Sequence, residues 1–149
     1  MPVSTEFQKR IREFAAESNL NYSDLVKAIG INEHPFSHAI QYGIIPSTRI
    51  LIRIADYFQV SISYLLGKTD DETFYPSETN ADFFTRITDL CAERDITFYE
   101  AAKQCHLDKS YISRWVRTKS LPTLELLELV VDFFDVSIDY LLGRTDERD

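Results

Sequence analysis

The chain has 149 residues, 44% of them hydrophobic and 13% aromatic, which suffices for packed cores in one ordinary domain or two small ones. Its formal net charge of −8 weighs against indiscriminate adhesion to nucleic acid, because the far field of the molecule repels phosphate. With four glycines, no alternating strand-like run and many apolar stretches at helical spacing, the chain reads as all-α, and with neither an apolar signal core nor a membrane-length apolar run it is expected in the cytoplasm.

In chain order, Phe7, Ile11, Phe14 and Ala15 fall at i, i+4, i+7 and i+8 and predict an amphipathic helix facing a core. A second helix is predicted over Tyr22–Ile29, followed by Gly30, which suits a tight turn. A third covers Glu33–Tyr42. Pro46 then breaks the chain, and Ser47 can cap a fourth helix carrying Ile50, Leu51, Ile54, Ala55 and Phe58. Ser61 is a natural cap for a last short helix, SISYLLG. The polar stretch DDETFYPSETNAD, residues 70–82, contains Pro76 and reads as a linker.

The same order returns beyond it. VSISYLLGKTD at 60–70 matches VSIDYLLGRTD at 136–146, and the offset of 76 extends without a gap to Phe7 and Phe83, Arg10 and Arg86, Lys27 and Lys103, and Pro46 and Pro122. Identity at 20 of 67 aligned positions is far above chance for a gapless match and predicts two small domains, 1–72 and 83–149, joined by a linker at 73–82. The second set of helices carries Phe83, Ile87, Leu90 and Cys91, then residues 98–105, then 108–122, then Leu126, Leu127, Val130, Val131 and Phe134, with Thr123 and Ser137 as caps. Cys91 and Cys105 lie on separate predicted helices without a C-x-x-C spacing and read as reduced core thiols.

Residues 108–122, DKSYISRWVRTKSLP, hold four cations (Lys109, Arg114, Arg117 and Lys119) and no acid after Asp108. Ile112, Trp115 and Val116 at i, i+3 and i+4 form the inward stripe, which turns the cations outward. At physiological salt the screening length is about 8 Å, so a basic surface pressed on DNA feels its phosphates more than distant carboxylates.

Two helices, a turn and a third helix with outward polar and basic residues make a helix-turn-helix pattern. On these residues the sequence resembles the phage-repressor-like helix-turn-helix regulators, the lambda repressor, Cro and xenobiotic response element family. SYISRWVRTKSLPTLELLELV is similar to that family's recognition helix, loop and fourth helix, and VSIDYLLGRTD to an ending common among regulators of Gram-positive bacteria. The resemblance covers nearly the whole chain, once per copy. It implies two tandem five-helix domains and double-stranded DNA as partner. No cofactor is expected.

Carried over by position, the resemblance implies that Lys109, Ser110, Tyr111 and Arg114 face base edges, with Arg114 suited to guanine O6 and N7. Arg117 and Lys119 are expected at phosphates, as are the backbone N–H groups near Thr97, Phe98 and Tyr99. The first copy has Glu33, His34, Pro35, His38 and Gln41 where the second has Lys109, Ser110, Tyr111, Arg114 and Arg117. Without a permanent cation, weak reading by Glu33, His34, His38 and Gln41 stays open. His106 stands where the first copy has Gly30 and is expected to be strained if the turn needs positive φ.

His34 and His38 at i, i+4 lack a third ligand of suitable spacing, so no metal site is expected. No catalytic constellation or glycine-rich phosphate loop is present in the sequence, which argues against an enzyme. Tyr57, Tyr64, Leu129, Phe133, Ile138 and Tyr140 exceed what a small core requires and are expected at an interface, in a homodimer or an intramolecular pseudo-dimer. The expected function is a sequence-specific DNA-binding transcriptional regulator. The alternative is a protein-interaction adaptor or antirepressor that keeps the fold without the DNA.

Overall fold

The computed structural model describes residues 2–149 and divides between Phe74 and Tyr75 into two compact units. The first contains α1 (Thr5–Glu17), α2 (Tyr22–Ile29), α3 (Glu33–Tyr42), α4 (Thr48–Phe58) and α5 (Ile62–Leu65). The second contains α6 (Phe83–Glu93), α7 (Phe98–Gln104), α8 (Tyr111–Thr118), α9 (Leu124–Phe134) and α10 (Ile138–Leu141). Among the described residues there is no strand, only one isolated bridge between Val3 and Ile44.

The apolar stripes go where their spacing directs them. Phe7, Ile11, Leu25, Phe36, Leu51, Ile54, Ile62 and Leu65 are fully buried in the first unit, and Phe83, Ile87, Ile112 and Leu127 in the second. Side-chain caps close most of the helix starts: Asn21 accepts from Asp24 N–H at 2.8 Å, Asp82 from Thr85 at 2.8 Å, and Ser61 and Ser137 from Tyr64 and Tyr140 at 2.8 and 3.0 Å. Thr123 departs from the expectation: it holds the N-cap position of α9, but its side chain makes no capping bond. Cys91 and Cys105 are buried and unbridged, and burial pushes both thiols up to about 11.

Ten described residues have positive φ, and they fall into five pairs each 76 residues apart: Asn19 and Asp95, Gly30 and His106, Gly43 and Lys119, Gln59 and Asp135, Gly67 and Gly143. Each pair ends a helix or turn at the matched place in its unit, so the backbone turns with the same sign of φ there even where side chains differ. His106 adopts φ 62° where Gly30 adopts 86°. A β-carbon in that region costs about 1–2 kcal/mol, partly offset because glycine gives the unfolded chain more freedom. His106→Gly is therefore expected to stabilise the second unit by roughly 0.5–1 kcal/mol, read as a raised midpoint in Trp115 fluorescence during thermal unfolding.

An arginine anchors each unit. Arg10 is buried, donates to the carbonyls of Tyr64 and Thr69 (2.7 Å for the latter) and to Asp70 Oδ1 at 2.7 Å, and lies 4.0 Å from the Tyr64 ring centre. Arg86 repeats the arrangement with the carbonyls of Tyr140 and Thr145 and with Asp146 Oδ1, each at 2.8 Å, and with the Tyr140 ring at 4.0 Å. This corrects the interface assignment of Tyr64 and Tyr140. Both are buried, each with a guanidinium of its own unit over the ring, and Ile138 is buried as well.

The predicted linker is shorter than its composition suggests. Ser77 donates its N–H to Arg144 O at 2.8 Å and its hydroxyl to Asp146 Oδ1 at 2.6 Å, and Glu78 N–H reaches Asp146 Oδ2 at 2.9 Å. These bonds, with those from Thr79 and Arg86, hold the Asp146 carboxyl down at about 2. Residues 77–79 are thus built into the second unit. Arg144 also forms a buried ion pair with Asp139, where the first unit has Lys68 and Ser63.

Candidate nucleic-acid interface

The candidate surface is built from the second unit's α7, the turn after it and α8. His106 turns the chain at positive φ after α7, Leu107 is buried as an anchor, and Asp108 starts the tight turn into α8. Ile112 and Trp115 are buried beneath α8 and Val116 is half-buried, as their spacing requires. Lys109, Arg114, Arg117 and Lys119 are exposed on the opposite side. The unit around them is acidic, with nine lysines and arginines against fifteen acids, so this surface is a local reversal of charge.

Two of the proposed base readers lie outside the helix. α8 begins at Tyr111, with Ser110 as its N-cap residue and Lys109 in the preceding turn. The cause is Asp108, absent from the predicted site: its Oδ1 accepts from Ser110 N–H at 3.0 Å and from the Ser110 hydroxyl at 2.6 Å, while its carbonyl accepts from Tyr111 N–H at 3.0 Å. The Ser110 bonds lower the Asp108 pKa, assisted by nearby Arg114 and Lys109. The D-x-S spacing is a readable signal for such a turn. Ser113 lies on the flank, where its hydroxyl bonds Ser110 O at 3.0 Å.

Three of the four cations rest on aromatic rings. Lys109 Nζ is 5.3 Å from the Tyr99 ring centre, the Arg114 guanidinium carbon 5.3 Å from Tyr111, and Lys119 Nζ 4.9 Å from Phe84. In the first unit both members of every pair differ: Glu33 with Ser23, His38 with Pro35, and Gly43 with Gln8. Arg117 occupies the last turn of α8, a favourable place for a cation, and is exposed. Between α7 and α8 lies an open depression of about 690 Å³, lined by Tyr99, Leu107, Asp108, Lys109, Ser110 and Ser113.

The start of α7 is less suited to phosphate than expected. Thr97 and Tyr99 are exposed and Phe98 is half-buried, but Thr97 Oγ1 already accepts from Glu100 N–H at 3.0 Å and bonds the Glu100 carboxylate at 3.1 Å. That carboxylate opposes a second anion at the same place. The T-x-x-E capping-box spacing makes Glu100 legible in the sequence.

In the first unit, Glu33, His34 and Gln41 are exposed and His38 is half-buried on α3. The His34 and His38 rings stand 4.0 Å apart and His38 meets Tyr42 edge-on at 5.8 Å, an aromatic row in place of cations. Arg12 Nε and Gln8 Nε2 of α1 bond carbonyls at the end of α3. Their counterparts in the second unit are Thr88 and Phe84. Of the residues expected at an interface, Tyr57 and Leu129 are exposed, at 40% and 39%, and Phe133 is half-buried. Among the described residues, no group of three or more His, Cys, Asp or Glu side chains could hold a metal, and no helix is long and apolar enough to cross a membrane.

Residues 88–141, from within α6 to the end of α10, match the helix-turn-helix family model. The chain is also similar to an HTH-type transcriptional activator, BcrR, of Enterococcus faecalis, with 31% identity over 62 residues. That alignment covers 42% of this chain and 30% of the relative's length. No solved structure matches the chain significantly.

Proposed function

We propose that this chain is a sequence-specific DNA-binding transcriptional regulator of the cytoplasm, built from two tandem helix-turn-helix domains, with α8 of the second reading the major groove. One observation carries the reading: the cations Lys109, Arg114, Arg117 and Lys119 gather on the exposed side of α8 and its flanks, within the segment that matches the helix-turn-helix family. In this reading Arg114 and Tyr111 contact bases, and Lys109, Arg117 and Lys119 contact phosphates. The activity is occupancy of an operator and requires no chemical step. Similarity to a relative named as an activator makes recruitment of polymerase as natural an outcome as its exclusion.

The two domains divide the work. Their matched positive-φ positions and matched arginine anchors support descent from one duplicated unit. Without cations on α3, the first domain lacks the phosphate attraction that supplies most DNA affinity, and its row of His34, His38 and Tyr42 suits a protein partner. The exposed Tyr57 and Leu129 are the residues through which a dimer would form.

The test is selection of a bound duplex from a randomised DNA pool, followed by fluorescence anisotropy. A site bound more tightly than mixed-sequence duplex is expected, with Glu33→Ala and His38→Ala leaving its affinity within about twofold. Absence of binding at low salt overturns the regulator reading in favour of an adaptor, whereas a tenfold loss from either first-domain variant makes α3 a second reader.

A further inference from the structure

An arginine on an exposed helix is long and mobile, and fixing it on a base sacrifices rotamer freedom unless it is held beforehand. Around Arg114 the structure supplies such a hold. Ser110 Oγ lies between two charged groups, donating to Asp108 Oδ1 at 2.6 Å and accepting from Arg114 Nη2 at 3.0 Å. A hydroxyl has one hydrogen. With that hydrogen and the Ser110 N–H both committed to the Asp108 carboxylate, the oxygen's lone pairs turn toward Arg114. The Tyr111 ring borders the guanidinium, 5.3 Å from its carbon.

We propose that Asp108 and Ser110 form a relay that aims the Arg114 guanidinium at a guanine, so that Ser110 is a positioning residue rather than a base reader. The proposal rests on α8 being the reading helix. It also gives a purpose to the acid at the head of a basic surface, which as an isolated charge would only repel phosphate. One of Arg114's five donors is used by Ser110, which leaves enough for the two parallel bonds that guanine O6 and N7 accept. The first unit has no such relay: Asn32 makes no side-chain capping bond, and His34 and His38 stand in place of Ser110 and Arg114.

The experiment uses the full-length chain and the variants Ser110→Ala, Ser110→Thr, Asp108→Ala and Arg114→Ala. Each is titrated with the duplex selected from the random pool, with versions of it changed at single guanines, and with mixed-sequence duplex. Ser110→Ala is expected to lose about tenfold of the discrimination at the guanine that Arg114→Ala identifies, while keeping its mixed-sequence affinity within about twofold. Ser110→Thr restores the discrimination. Asp108→Ala lowers discrimination yet raises mixed-sequence affinity, a split that simple unfolding does not produce. Full discrimination in Ser110→Ala overturns the relay. If the wild-type chain binds no duplex, the regulator reading fails separately, and the relay is then decided in free protein by the NMR mobility of the Arg114 Nε–H. Greater mobility in Ser110→Ala than in wild type supports it; equal mobility overturns it.

Discussion

Arg86→Ala is expected to cost the second unit about 3–5 kcal/mol, a large share of the stability of a small domain. The guanidinium joins α6 to the end of the chain through three bonds of 2.8 Å, to Tyr140 O, Thr145 O and Asp146 Oδ1. Truncation leaves two carbonyls without a donor they share, exposes one side of the Tyr140 ring and removes the cation facing Asp146. Arg86→Lys keeps the charge but not the planar fork and is expected to fall between wild type and alanine. The sole tryptophan, Trp115, lies in the second unit at 7% exposure, so its fluorescence follows this unit alone. A fall in its thermal midpoint of roughly 15–30 °C is expected, whereas an unchanged midpoint would show that the anchor contributes little.

Arg114→Ala should instead leave the fold intact and remove specificity. Its side chain is exposed and bonds Ser110 Oγ beside the Tyr111 ring. Stability should therefore change by less than about 0.5 kcal/mol. Loss of a bidentate guanine contact costs about 1–3 kcal/mol of discrimination against other base pairs at one position. The slope of affinity against salt should shift by no more than about one, since a base contact displaces few counterions. Arg117→Ala is the control, expected to weaken all sequences alike. Equal losses on selected and mixed duplex for Arg114→Ala would make it a phosphate contact.

Much of the fold is legible because its determinants are local. The stripe of Phe7, Ile11 and Ala15, the breaks at Pro46 and Pro122, and the caps at Ser61 and Ser137 each operate within a few residues. Even the positive φ at His106 follows from its alignment with Gly30. The arginine anchors are a different case. Arg10 and Arg86 align, yet a buried arginine is rare, and its partners stand 54 to 60 residues away. Tyr64 and Tyr140 therefore look like surplus aromatics for an interface, when they are the platforms beneath those guanidinium groups.

At the candidate site, the outward cations are readable from periodicity, but the starting point of α8 is not. It depends on which donors the Asp108 carboxylate captures, and that choice moves Lys109 and Ser110 ahead of the helix. The aromatic supports Tyr99, Tyr111 and Phe84 come from α7, α8 and α6, so only packing assembles them with their cations.

The central claim is that a local basic surface on an acidic chain binds DNA, and the salt dependence of affinity tests it most directly. With Lys109, Arg117 and Lys119 at phosphates, log affinity for mixed-sequence duplex should fall against log salt with a slope of about −3 for one reading domain, or about −5 to −6 for a dimer. Replacing these three residues with alanine should flatten the slope toward zero. A slope near zero in the wild-type chain, or an unchanged slope in the triple variant, would contradict the account.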